Sequence, residues 1–278
     1  MSVLVRLMDV LLPAGGYVMA LAEMYFDESE DKKQKLLCVA GYLFTKEKCA
    51  ILEKKWSSVL AREGLPFFRM VDCAHGEGVF KDFKLPRRIA IQTELMRLLV
   101  EHMEVGYAIS FDMRFAHLCP SALSHGIKVV HPYSLCAWFC LVQGRSWAEK
   151  NGFDGDIAYF FEAGQQHEKQ ANHIMNTVFK KDNLRAFYRY AAHAFLPKES
   201  AVPLQCGDIL AWQWSKQIKN ERQRRPIRAD LQSLLVRPHF VAHFDKKVLL
   251  DLRDTINKSN RETEIKKMLS TLSRGSGA

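Results

Sequence analysis

The sequence has no long uninterrupted apolar segment and no paired cysteine motif. No run in its 278 residues reaches the roughly 18 consecutive apolar residues that a transmembrane helix requires, so no association with a membrane is expected. The seven cysteines are odd in number, and no two of them have the Cys-x-x-Cys spacing. A disulfide framework is therefore not expected, and the pattern is typical of reduced thiols in a cytoplasmic protein.

The N-terminal three quarters of the chain carries almost no net charge. The formal charge is +9, and residues 216–274 alone contribute +8, because 15 Lys and Arg there outnumber 7 Asp and Glu. A basic balance confined to one end favours a polyanionic partner, with nucleic acid first among the candidates. The alternative is that these basic segments are only solvated.

The first 18 residues resemble a signal peptide only superficially. Arg6 precedes a short apolar stretch, but Asp9 and the segment Pro13–Gly16 interrupt the apolar region that a secretion signal keeps continuous. We expect residues 1–18 to be an over-extended or disordered N-terminus and the working chain to begin at Met19.

Apolar segments of strand length alternate with segments of helical periodicity, which predicts an α/β fold. The predicted strands cover residues 23–27, 36–44, 67–71, 105–111, 156–161 and 185–195. The predicted helices cover residues 46–63, a segment that begins at 86, and residues 133–150, 168–181 and 204–221. The first two strands flank a polar turn and form a hairpin. We therefore expect one domain over 19–222, a mixed sheet flanked by helices, followed by a basic helical extension over 223–278.

Three acidic residues occupy apolar segments, where burying a charge would be energetically costly. Asp27 ends an aromatic strand, Glu162 follows the most apolar strand, and Asp208 lies in an otherwise apolar helix. Burying a carboxylate costs several kcal/mol unless it is paired or bound to a metal. Oxygen ligands suit Mg²⁺ or Mn²⁺, so the three predict an acidic metal site if the fold brings them together.

Each of these acids also has a purely structural interpretation. Asp27 would cap the following turn, Glu162 would be a solvated strand end, and Asp208 would be half exposed at the boundary of its helix. The residues taken singly leave these alternatives open.

Four segments in this order resemble the domain-of-unknown-function 3800 family over roughly residues 23–220. The most specific are the strand end Tyr25-Phe26-Asp27-Glu28-Ser29 and the helix start Leu204-Gln205-Cys206-Gly207-Asp208; between them stand Phe68-Arg69-Met70-Val71-Asp72 and Gly76-Glu77-Gly78-Val79-Phe80. The sequence departs from the family pattern at Glu30, where glycine is common, and at Arg69, where histidine is frequent.

The resemblance implies a ribonuclease-H-like fold and a metal-dependent nuclease. It implies that Asp27, Glu162 and Asp208 bind Mg²⁺ or Mn²⁺. Gln205, one turn before Asp208, would orient that acid or contact the substrate backbone. Asp112, at the end of the predicted strand 105–111, is a rival for the middle acid, and Glu28 and Asp72 are secondary candidates.

The expected activity is hydrolysis of DNA or RNA by two metal ions that activate a water and stabilise the leaving 3′ oxygen. The basic residues that follow the Asp208 helix would hold the nucleic-acid backbone without reading its sequence; they are Arg222, Arg224, Arg225 and Arg228. The tryptophans are expected in the core rather than as stacking platforms, and Trp212, near Asp208, is the one to test for stacking on a base; the others considered are Trp138, Trp147 and Trp214. The alternatives are a non-catalytic nucleic-acid-binding module of the same fold and a nucleotide phosphohydrolase.

Overall fold

The computed structural model describes residues 21–123, 127–129, 131–164 and 166–258, so the predicted N-terminal segment 1–18 lies outside the described residues. The strands are β1 (Leu21–Asp31), β2 (Leu36–Thr45), β3 (Val105–Asp112), β4 (Asp156–Glu162), β5 (Tyr190–Leu196) and β6 (His239–Phe244). The helices are α1 (Lys46–Glu63), α2 (Met70–His75), α3 (Leu85–His102), α4 (Pro132–Lys150), α5 (Glu168–Phe179), α6 (Asp182–Tyr188), α7 (Val202–Arg222), α8 (Ala229–Leu234) and α9 (246–258). Short 3₁₀ turns lie at Gly78–Phe80, Met113–Leu118 and Lys198–Ser200.

The strands form a mixed sheet in the order β5-β4-β1-β2-β3-β6. The β1–β2 hairpin is antiparallel, with Ala22 opposite Thr45 and Asp31 opposite Leu36, and β2 is also antiparallel to β3. The pairs β1–β4, β4–β5 and β3–β6 are parallel, so β2 alone runs against the other strands. The prediction of an α/β fold with a mixed sheet flanked by helices is confirmed.

Side-chain alternation along β1 divides the apolar core between the two faces of the sheet. Tyr25 packs with residues of α1, α3 and α7, whereas Met24 and Phe26 pack with residues of α4, α5 and α6. Asp27 consequently points to the face that α7 covers, and Glu28 points to the opposite face. The sheet is buried on both sides, which explains why β2 reads as an almost continuous apolar run.

The predicted strand at 67–71 is wrong, because this segment leads into the short helix α2. Its backbone amides bind side chains of α7 instead of a neighbouring strand. The Phe68 N–H donates to Gln205 Oε1 at 2.9 Å, and the Met70 N–H donates to Asp208 Oδ2. A strand pattern in the sequence is thus overridden by two polar side chains 137 and 138 residues away.

The predicted strand at 185–195 is only half correct. Helix α6 extends to Tyr188, Arg189 adopts a left-handed conformation with φ 49°, and β5 begins at Tyr190. Arg189 caps the end of the helix, because its N–H bonds the Ala186 and Arg185 carbonyl oxygens, and the strand begins at the next residue.

The prediction of a helical extension after residue 222 is wrong over His239–Phe244. These residues form β6, which pairs in parallel with β3 from Gly106 opposite His239 to Phe111 opposite Phe244. Phe244 is 2% exposed and belongs to the core on the α4 face. The segment beyond residue 222 therefore completes the sheet, and residue 222 is not a boundary between separate cores.

No helix among the described residues is both long and apolar enough to cross a membrane. All seven cysteines are free thiols.

Candidate active site

The register of the sheet brings Asp27 and Glu162 together. Phe26 lies opposite Phe161 in the parallel β1–β4 pair, so the next residue of each strand, Asp27 and Glu162, projects to the same face. The prediction that Asp27 ends its strand is wrong, because β4 ends at Glu162 whereas β1 continues to Asp31 by pairing with β2. Asp27 is 2% exposed. The side chain of Glu162, at the end of β4, keeps 14% exposure and opens the site to solvent.

Helix α7 supplies Asp208 and crosses β1 and β2 above these acids. The close approach depends on Gly207, because a Cβ on this residue would lie 3.2 Å from the Asp27 nitrogen and 3.3 Å from the Ala40 carbonyl oxygen. Both neighbours are backbone atoms and cannot swing away. Gly207 therefore sets the distance at which the next residue, Asp208, faces the strand acids.

A buried lysine lies between the three carboxylates. Lys198, in the 3₁₀ turn between β5 and α7, places Nζ 2.8 Å from Asp27 Oδ2, 3.2 Å from Glu162 Oε2 and 3.0 Å from Asp208 Oδ1. No two of these oxygens can be farther apart than about 6 Å, the sum of their distances to the ammonium. The three acids singled out in the sequence thus share one cation, and we name these four residues the acid cluster.

Backbone amides fix the orientation of two of the carboxylates. Asp27 Oδ1 accepts from the Glu28 N–H at 2.7 Å, and Asp208 Oδ2 accepts from the Met70 N–H. The second oxygen of each carboxylate is left to face the Lys198 ammonium. The acids are therefore preoriented toward a common centre rather than splayed into solvent.

Burial and charge shift the pKa values in the acid cluster in opposite senses. Burial raises the pKa of Asp27 well above its usual value; the Lys198 ammonium opposes this shift, and the neighbouring Glu162 and Asp208 carboxylates add to it. Burial alone would lower the pKa of Lys198, but the three carboxylates outweigh it and raise that pKa. Lys198 therefore stays charged at neutral pH, and it compensates part of the repulsion between the acids.

Sequence reasoning missed Lys198. It stands in the polar segment Pro197-Lys198-Glu199-Ser200, which in the sequence is typical of a solvated loop. The one signal in the sequence is that Lys198 lies shortly before α7, the helix that contains Gln205 and Asp208. The turn returns the chain to the sheet edge, and the side chain is 5% exposed as a result.

Gln205 lies beneath the acid cluster and not in it. Its Oε1 accepts from Trp56 Nε1 at 3.0 Å and from the Phe68 N–H at 2.9 Å, and its Nε2 donates to the Lys198 carbonyl oxygen at 3.3 Å. With 1% exposure it has no free face for a substrate. It is a positioning residue that ties α1, the segment before α2 and the Lys198 turn together.

The rival middle acid, Asp112, belongs to a separate ion-pair network. Its carboxylate accepts from Arg114 Nε at 2.8 Å and from Arg222 at 2.8 Å. Burial would raise the pKa of Asp112, but these two arginines outweigh it and hold the pKa below its usual value. The geometry therefore favours Glu162 over Asp112 as the middle acid.

The two secondary candidates also lie away from the Lys198 ammonium. Glu28 is on the α4 face, where burial first, and then the charges of Glu30 and Glu162, raise its pKa to about 7. Asp72 is in the first turn of α2, with its carboxylate against Gly78. Among the ion pairs that Lys198 forms with described residues, none involves Glu28 or Asp72.

The four arginines predicted to hold nucleic acid have different surroundings. Arg222 binds Asp112 and the Gln34 carbonyl oxygen, while Arg224 and Arg225 are exposed in the turn after α7. Fourteen residues of helix separate Asp208 from Arg222, which is about 21 Å at 1.5 Å per residue. Arg228 alone turns back toward α7, where its guanidinium lies 5.3 Å from the Trp212 ring centroid.

The acid cluster is not a ready-made metal site. Among the described residues, no group of three or more His, Cys, Asp or Glu side chains is arranged to hold a metal ion. The carboxylate oxygens surround the Lys198 nitrogen at 2.8–3.2 Å, whereas Mg²⁺ binds oxygen at about 2.0–2.1 Å. Metal binding would require the ammonium to withdraw and the acids to close in by roughly 1 Å.

Comparisons with family models, curated proteins and solved structures found no match for this chain. What can be inferred about function therefore depends on the residues and geometry of the acid cluster and on the surface around it.

Proposed function

We propose that this chain is a metal-dependent nuclease that hydrolyses phosphodiester bonds of DNA or RNA. The observation that carries the proposal is the meeting of Asp27, Glu162 and Asp208 around one buried cation where β4 ends beside β1. Three acids from two strands and a late helix repel one another at this distance. Their mutual repulsion is tolerated only because a cation lies between them.

The sheet topology supports the ribonuclease-H-like fold that the sequence motifs imply. From β3 the order is β3-β2-β1-β4-β5, with β2 alone antiparallel, and β6 lies beside β3; a mixed sheet flanked by helices is compatible with that fold. Helix α7 follows β5 and packs on β1 and β2. Membership of the domain-of-unknown-function 3800 family is part of the proposal, supported by the motifs and by this topology.

The chemistry of the donor set suits a hard divalent cation. Asp27, Glu162 and Asp208 would hold Mg²⁺ or Mn²⁺, since both prefer carboxylate oxygen. When bound, the metal supplies activation of the attacking water and charge compensation at the leaving 3′ oxygen. Burial raises the pKa of Asp27, and a divalent cation would oppose that shift by favouring the ionised carboxylate. With all three acids ionised and Lys198 in place, the formal charge would be −2, which a single divalent cation balances; a second cation would be favoured once Lys198 has withdrawn.

The protein's own residues prepare the site for a phosphate. Lys198 offsets part of the carboxylate field that would otherwise repel the substrate. The amides of Glu28 and Met70 each hold one oxygen of Asp27 and Asp208, so the rearrangement that a metal would require is confined to withdrawal of the Lys198 ammonium and an approach of the carboxylates by roughly 1 Å. The side chains of Glu162 and Asp208, each 14% exposed, mark the side from which the substrate approaches.

The proposal is tested with purified protein, labelled single- and double-stranded DNA and RNA, and Mg²⁺ or Mn²⁺. We expect cleavage that requires the metal and is lost by at least 100-fold in Asp27→Asn, Glu162→Gln and Asp208→Asn, because each removes one ligand. Asp154→Asn is the matched control, since that side chain is fully exposed.

Two results would contradict the nuclease proposal. One is cleavage that survives in all three acid variants, which would place the activity elsewhere or in a contaminant. The other is the absence of cleavage with every substrate and metal while folding and binding stay intact. If Asp112→Asn and Glu162→Gln reduced cleavage equally, the choice of Glu162 over Asp112 as the acid that acts with Asp27 and Asp208 would have to be reconsidered.

The Lys198 ammonium also favours a second candidate, a nucleic-acid-binding module of the same fold without catalysis. In that case the lysine permanently replaces the metal and the cluster serves only to hold α7 against β1 and β4. Measuring metal affinity distinguishes the two candidates. A module would bind nucleic acid equally well in Mg²⁺ and in EDTA and would show no calorimetric binding of Mn²⁺.

A further inference from the structure

A long groove begins beside the acid cluster and runs along α7. Its volume is about 1150 Å³, and it lies between α3 on one side and α2, α7 and α8 on the other. Met70 lines its near end, and the N–H of the same residue binds Asp208. The groove therefore adjoins the proposed catalytic site at Met70, although no residue of the acid cluster lines it.

One wall of the groove consists of Trp212 and Lys216 of α7 together with Arg228, which directly precedes α8. Trp212 is one helical turn after Asp208, and Lys216 follows after another turn, so all three lie on the same side of the helix. Lys216 Nζ is 5.1 Å from the Trp212 ring centroid, and the Arg228 guanidinium is 5.3 Å from it. Trp212 is half-buried, whereas Trp214, two residues on, is in the core.

The lining combines apolar surface with a positive balance of charge. The α3 wall presents Leu85 and Ile89, exposed by 56% and 53%, together with Arg88 and Arg97. The lining contains four Lys and Arg and one acid, Asp230, which Arg228 binds; Arg97 also pairs with Glu101, and Arg88 donates to the Cys73 carbonyl oxygen. A lining of exposed apolar side chains and cations suits a ligand that has flat apolar faces and a repeated negative charge.

We propose that this groove binds single-stranded nucleic acid, with a base stacked on Trp212 and the neighbouring phosphates held by Lys216, Arg228 and the α3 arginines. Stacking between bases and aromatic rings, flanked by cations, is the usual means of binding single strands without reading sequence. The groove volume exceeds the 300–1,000 Å³ of ordinary small-molecule pockets, as an extended chain of several nucleotides requires.

A duplex does not fit this chemistry, because its bases are already stacked and its outer surface is phosphate and sugar. The exposed Leu85 and Ile89 would then face charge, and Trp212 would have no free base to meet. The inference rests on the proposed function for its direction, since the groove leads the strand to the acid cluster. Binding itself does not require the acids to be catalytic.

The test measures binding in EDTA, where no metal-dependent cleavage can occur. Fluorescence anisotropy with labelled 12-nucleotide single strands and the matching duplex is compared for the full chain, Trp212→Ala and Lys216→Gln. Lys180→Gln is the control, since Lys180 is an exposed lysine at the end of α5, on the other face of the sheet. Trp212→Phe keeps a smaller stacking surface and serves if the alanine variant is poorly folded.

We expect the full chain to prefer the single strand and Trp212→Ala to bind it roughly 5- to 100-fold more weakly, as loss of one stacked base predicts. Trp212→Phe should fall between the two. Lys216→Gln should reduce the slope of log K against log salt concentration by about 0.7. This is the contribution expected of one phosphate contact on a single strand. Lys180→Gln should change neither.

Equal affinity for duplex and single strand, or full affinity in Trp212→Ala with intact folding, would overturn the inference. Binding of polyglutamate as tightly as the oligonucleotide would also overturn it, because the groove would then recognise an acidic chain. The nuclease proposal fails separately, through the acid variants and the cleavage assay. Trp212-dependent binding without cleavage would therefore support the groove and refute the nuclease.

Discussion

Replacing Lys198 with methionine tests whether the acid cluster is a cation site. Methionine keeps the length and apolar stem of lysine but removes the ammonium that contacts Asp27, Glu162 and Asp208 at 2.8–3.2 Å. Removing one partner of a buried ion pair costs about 3–5 kcal/mol. The lower end applies here, because two of the acids are partly exposed and proton uptake by the third relieves some of the repulsion.

We therefore expect Lys198→Met to lower the free energy of unfolding by about 3 kcal/mol in EDTA, which is roughly 6–12 °C in Tm. Mg²⁺ or Mn²⁺ should restore most of this loss, because the metal would replace the missing charge without having to displace the ammonium. A ligand present at a hundredfold excess over its Kd stabilises the folded state by about 2.7 kcal/mol. The unmodified protein should gain less from the same metal.

The measurement is thermal or urea unfolding with and without metal, together with calorimetric titration of Mn²⁺. Lys180→Met is the matched control, since that lysine is exposed and should change stability by less than about 0.5 kcal/mol. Adding Asp27→Asn to Lys198→Met should recover part of the lost stability by removing one of the repelling charges.

Two outcomes would refute this reasoning. If Lys198→Met is as stable as the unmodified protein, the ammonium does not compensate the acids. If the variant is destabilised but neither metal rescues it, the three carboxylates cannot hold a divalent cation, and the module without catalysis becomes the better proposal.

Three further substitutions test the scaffold around the site. Gln205→Leu leaves the donors of Trp56 and Phe68 unpaired and should cost about 2–5 kcal/mol in urea unfolding; an unchanged midpoint would mean that water replaces the amide. Gly207→Ala should cost about 1–3 kcal/mol and weaken Mn²⁺ binding, because the added methyl meets the backbone of β1 and β2, and unaltered values for both would show that α7 can move away. Asp112→Asn should cost about 1.5–3 kcal/mol at pH 7. The folded pKa of Asp112 lies below its unfolded value, so its contribution is present above pH 4 and is lost as pH falls through the folded pKa; a cost that does not decrease at all as the pH is lowered below 4 would contradict this account.

Local periodicity was sufficient for most of the fold. The α1 helix at 46–63 and the apolar strands β2, β3 and β4 follow from their apolar spacing, because each buries a continuous face or lies between two layers of helices. Periodicity failed at 67–71 and at β6, where the outcome depends on partners distant in the chain. The first segment is held by side chains of α7, and the second is completed by pairing with β3.

The sequence by itself determined which acids are conspicuous, because a carboxylate in an apolar setting needs a compensating charge wherever it lies. It could not decide that Glu162, and not Asp112, joins Asp27 and Asp208. That choice depends on the parallel register between β1 and β4, and on Arg114 and Arg222, which form ion pairs with Asp112. Nor could it find Lys198, whose importance arises only because the β5–α7 turn carries an ordinary loop lysine into the middle of three carboxylates. The three acids can be recognised from their local sequence context, whereas the lysine that balances their charge can be recognised only from the tertiary structure.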